Sequence, residues 1–128
     1  MTALKPIVDH LVRLMDQTVS LADSERLLSM MDNLFHAVGP GIAEDVDRSD
    51  PRRPWRLLLL NRAILATRTC QRPLMERAFQ SLLSHLPEDA AEFFREGMAQ
   101  VEHASYPPQA RELMLAYYQA WGLPRTLH

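Results

Sequence analysis

Lysine is almost absent from this chain: of fourteen basic residues only Lys5 is not arginine. Cysteine occurs once, at Cys70, so no disulfide can form within the chain, which suits a reducing compartment. Only four glycines occur. No phosphate-cradling glycine loop, dinucleotide fingerprint or nucleophile elbow is found among them. Unbroken apolar runs such as residues 57–60 are far too short to span a membrane. The opening Met1-Thr2-Ala3-Leu4-Lys5-Pro6 shows no basic head leading into the apolar core of a signal peptide. These absences predict a cytoplasmic protein with no membrane association.

What is present is ordinary globular composition, with 47% hydrophobic and 23% charged residues in 128 positions, enough for one folded domain over residues 1–128. Net charge is −2, but unevenly spread: residues 1–47 balance at −5, residues 48–77 at +6 and residues 78–128 at −3.

Placing successive residues 100° apart resolves helical faces. In residues 7–19, Ile7, Val8, Leu11, Val12, Leu14, Met15 and Val19 share one arc, with Pro6 at the first helical position. A second helix is predicted over residues 24–38, capped by Asp23 or Ser24 and ended by Gly39-Pro40; Leu27, Leu28, Met30, Met31, Leu34, Phe35 and Val38 form its apolar face. Residues 39–54 show little periodicity beyond Ile42 and Val46 and make the one internal boundary in the composition, read as a loop within the domain. Residues 55–69 are apolar around the whole circumference, which predicts a central, buried helix. Helices opened by Pro73, Pro87 and Pro108 follow, the last over residues 108–121 with Leu113, Met114, Tyr117, Tyr118 and Trp121 inward and Leu115 outside that arc. The fold class is therefore all-α: an irregular orthogonal bundle or short stack of about six helices around a buried central helix. Pro73 and Arg77 recur 34 residues later as Pro107 and Arg111, the period of a tetratricopeptide repeat, without that repeat's small-residue and aromatic pattern.

Chemistry is sparse. Cys70 follows the central helix between Arg68 and Arg72, cations of the kind that lower a thiol pKa, but no base pairs with it. The five histidines, at 10, 36, 85, 103 and 128, include no pair at metal-ligand spacing. Asp32 with His36, and Glu92, Glu96 and His103, read as solvated faces, and His85 as a half-buried, hydrogen-bonded residue. No catalytic, cofactor-binding or metal-ligating residues are assigned, and no cofactor is expected. Arg48, Arg52, Arg53 and Arg56 form a basic patch, but Arg56, Arg62 and Arg68 point in different directions and Trp55 is the lone aromatic among them. That argues against nucleic-acid binding beyond weak electrostatic attraction.

By elimination the sequence suggests a non-enzymatic protein-interaction module: an adaptor, chaperone-like or regulatory accessory protein, with another protein or a second copy as partner. Leu115, Tyr117, Tyr118 and Trp121 are the candidate interface, because tyrosine and tryptophan bury large rigid area while keeping a polar tip. Two other readings stay open: a small-molecule-binding protein or enzyme with a pocket between helices near His85, Tyr117, Tyr118 and Trp121, and weak nucleic-acid binding through the arginine-rich middle.

Overall fold

A computed structural model of the chain describes residues 4–17, 20–38, 53–103 and 105–123. Among the described residues it holds six α-helices, one π-helical turn and no strand. None of these helices is long and apolar enough to cross a membrane. Val19, Ile42, Val46 and most of the 39–54 connection lie outside the described residues. The chain forms two compact units, Met1–Thr69 and Cys70–His128, so the 39–54 connection is internal to the first.

The first unit contains α1 (Leu4–Met15), α2 (Leu21–Val38) and α3 (Pro54–Thr69), each packed on the other two. Pro6 sits in the third position of α1, not the first; anywhere in the first turn its missing N–H costs nothing. Of the arc expected to face inward, Val8, Leu11 and Met15 are buried, joined by Leu4, which precedes it, while Ile7 is exposed. The cap of α2 also differs from expectation. Ser20 Oγ accepts the Asp23 backbone N–H at 3.1 Å, so the helix starts a turn early and Ser24 is buried inside it. Asp23 then occupies the first turn, where it pairs with Arg26 and complements the helix dipole. Met30, expected on the apolar face, is exposed.

The predicted central helix is α3. Ten of its residues are buried, and it packs on both α1 and α2. Its internal polar groups turn back on its own carbonyls: Thr67 Oγ1 donates to Ala63 O at 2.9 Å and Thr69 Oγ1 to Ala66 O at 2.6 Å. Arg62 is the exception, only 4% exposed, and its Nε donates to Asp32 on α2 at 2.6 Å. Trp55 and Arg62 stand two turns apart, roughly 10 Å along α3. The Phe35 ring of α2 inserts between them, parallel to Trp55 at 5.1 Å and 4.7 Å below the guanidinium. Nη1 of Arg62 is buried with no hydrogen-bond partner among the described residues.

The second unit contains α4 (Arg72–His85), α5 (Pro87–His103), α6 (Pro108–Tyr117) and a π-helical turn, Tyr118–Gly122. Prolines mark all three helix starts, with Pro73 one position inside α4. The core is aromatic. Phe79 of α4 meets Phe93, Phe94 and Tyr117 edge-on at 5.7, 5.3 and 5.1 Å, and Tyr117 stacks on Phe94 at 5.3 Å. Gly97 lets Met114 lie against α5: a Cβ there would stand 2.7 Å from Met114 Cε.

The last helix departs from expectation. It is α-helical only to Tyr117 and then widens to a π turn, whose i→i+5 register turns less per residue than an α-helix. Trp121, expected inward at α-helical spacing, is consequently 44% exposed. The turn ends where buried Gly122 presses on α5: a Cβ there would come within 2.7 Å of Tyr118 Cδ1 and 3.3 Å of Phe94 Cβ.

Two stability measurements follow. Asp32→Ala leaves a buried guanidinium uncompensated and is expected to lower unfolding free energy in urea by about 2 kcal/mol, less than a fully buried pair because Asp32 is partly exposed. The double variant Asp32→Leu/Arg62→Met should lose less than that single change; an equal or larger loss would show the pair to be net stabilising. Gly122→Ala is expected to cost about 1–3 kcal/mol through overpacking against two aromatic residues, read in the same denaturation experiment.

Candidate functional site

An open groove of about 390 Å³ lies within the second unit. Pro87, Ala90 and Ala91 contribute from one stripe of α5, and their small side chains leave room above the helix. Leu83 of α4 adds to the lining, as do Trp121 of the π turn and Leu123 just after it, which are 44% and 46% exposed. The π register is what brings the indole here, since α-helical spacing would have placed it with Leu113 and Tyr117.

Arg95 supplies the only charge in the lining among the described residues. Among the described residues it makes no hydrogen bond or ion pair, although Glu92 precedes it by three positions on the same helix. No hydroxyl, thiol, imidazole or carboxylate among the described residues lines the groove. The described lining therefore offers neither a nucleophile nor a general base. It combines apolar contact with one accessible guanidinium.

The candidate residues do not come together as one surface. Leu115 is exposed at 39%, as expected, but is not part of the groove. Tyr117 belongs to the aromatic core, and its hydroxyl accepts from Gln80 Nε2 at 2.7 Å. Tyr118 is half-buried, with its ring against Gly122. Trp121 alone of the four lines the groove. His85 is half-buried and outside it. In the basic patch, Arg48 and Arg52 lie outside the described residues; Arg53 is exposed with φ 49° immediately before α3, and Arg56 is half-buried on α3. Asp32 carries Arg62, and His36 meets the Phe35 ring edge-on at 5.2 Å. Glu92, Glu96 and His103 are exposed, and among the described residues no three histidine, cysteine or acidic side chains gather as metal ligands.

Comparison with protein-family models, with curated proteins and with solved structures finds nothing that matches this chain.

Sequence reasoning missed the remaining groove residues. The available signal was Arg95 itself, a lone cation among Glu88, Asp89, Glu92 and Glu96 on α5. Cys70 follows α3 with φ 58°, a left-handed conformation that disfavours a side chain. Burial pushes its thiol up. The neighbouring guanidiniums are engaged elsewhere, Arg68 with Met15 O at 3.4 Å and Arg72 with Glu76 at 3.8 Å. A raised thiol pKa means the folded state holds the proton more tightly. Iodoacetamide should therefore alkylate Cys70 more slowly in the folded protein than in urea near neutral pH, the rates converging as pH rises through the raised value. Faster alkylation of the folded protein would reveal an activated thiolate.

Proposed function

We propose that the chain is a non-enzymatic interaction module whose second unit docks a segment of another protein in the groove beside Trp121. The supporting observation is the exposure of Trp121 and Leu123 on the rim of a small-residue groove whose described lining carries no catalytic group. Large exposed aromatic residues next to a concavity are the usual anchors of protein interfaces. A volume of about 390 Å³ falls at the small end of ligand pockets and suits one or two large apolar side chains. The enzyme reading finds no nucleophile, acid or base among the described lining residues to support it, and the residues of the candidate interface divide between core and surface.

The test is selection from a displayed library of random short peptides on the immobilised full chain. Binders are expected whose affinity falls at least about tenfold, or ~1.4 kcal/mol, in Trp121→Ala and in Ala91→Arg, which fills the groove. Trp55, 2% exposed and stacked on Phe35, is the fold control, since its emission should not change in the Ala91→Arg variant once Trp121 is replaced by phenylalanine. No binders, or binders indifferent to both substitutions, would remove the proposal.

A further inference from the structure

Resting on that reading, we infer that the segment docked in the groove presents a carboxylate beside a large apolar side chain, the carboxylate meeting Arg95. Among the described residues Arg95 is the one charged group lining the groove, and it is not engaged there with Glu92 or any other group. A cation beside apolar surface complements an anion that arrives with apolar neighbours, because the pair forms where water is partly displaced and the local dielectric is lowered.

The rest of α5 narrows the partner further. At 100° per residue, Glu88, Glu92 and Glu96 lie to one side of Arg95, and Pro87, Ala90 and Ala91 to the other. Arg95 thus marks the border between an acidic ridge and the groove. A segment rich in acidic residues would be repelled by that ridge, whereas a single Asp or Glu next to a leucine- or phenylalanine-sized residue reaches the guanidinium from the apolar side. The acidic ridge therefore acts against polyacidic competitors, a specificity made by repulsion as well as attraction.

The same displayed library carries the test, read now for sequence. Selected peptides should be enriched in one Asp or Glu within a turn of a large apolar residue, and depleted in acidic runs. Arg95→Ala should weaken them about fivefold, in the range of a partly exposed ion pair. Arg95→Glu should weaken them further, and replacing the peptide's acidic residue by lysine should restore binding to the Arg95→Glu protein. Because Arg95 is exposed, neither substitution should disturb the fold. Peptides that depend on Trp121 but lack the acidic bias, or that bind Arg95→Glu undiminished, would overturn this inference and leave the groove as a docking site. A library without Trp121-dependent binders would overturn both. Sedimentation showing self-association that is lost in Trp121→Ala would make a second copy the occupant, and would overturn it as well.

Discussion

The backbone of Gly122 lies so close to α5 that a single added carbon would meet Phe94 Cβ at 3.3 Å. The same carbon would stand 2.7 Å from Tyr118 Cδ1, so glycine eases the close approach of this turn to α5. Here the last helix widens into the Tyr118–Gly122 π turn. The indole leaves the core, joins Leu123 at the surface and becomes part of the groove lining. The aromatic cluster of Phe79, Phe93, Phe94 and Tyr117 supplies the rigid body against which this happens. Without that fixed backing, a wider turn would shift its neighbours instead of displaying a side chain.

Much of the fold was legible because it follows from local rules. Pro73, Pro87 and Pro108 sit in the first turns of three helices, and the all-round apolar character of residues 55–69 identifies the most buried one. The failures have equally specific causes. Ser20 was passed over as a cap because Asp23 and Ser24 offer the same chemistry a turn later. Trp121 was misplaced because periodicity assumes 3.6 residues per turn, and the glycine contact that breaks it joins residues 28 positions apart. The Asp32–Arg62 pair spans 30 positions and left no trace in the spacing of either helix. The candidate site was legible only in Trp121, since Pro87, Ala90 and Ala91 are notable for what their side chains leave empty.

Arg62 shows how the first unit distributes constraint. Its guanidinium is held by one carboxylate and one aromatic face, with Nη1 left unpaired in the interior. Buried polar groups of this kind add little net stability, yet they penalise alternatives strongly, because any shift of α2 along α3 separates Asp32 from Arg62 and withdraws Phe35 from its place next to Trp55. An apolar helix such as α3 slides easily on apolar neighbours; the pair gives its contact with α2 a definite register.

The joint between α3 and α4 has a consequence for synthesis. Thr69 ends one unit and Cys70 begins the next, and the main helix packing lies within one unit or the other. Contacts within the first half reach as far as Met15 and Arg68, 53 positions apart, so it can pack only once α3 has been made. All three helices of the first half are present as soon as Thr69 clears the ribosome. Because α3, the most buried of the three, is made last, its apolar surface meets α1 and α2 already synthesised, which limits the interval during which it can aggregate.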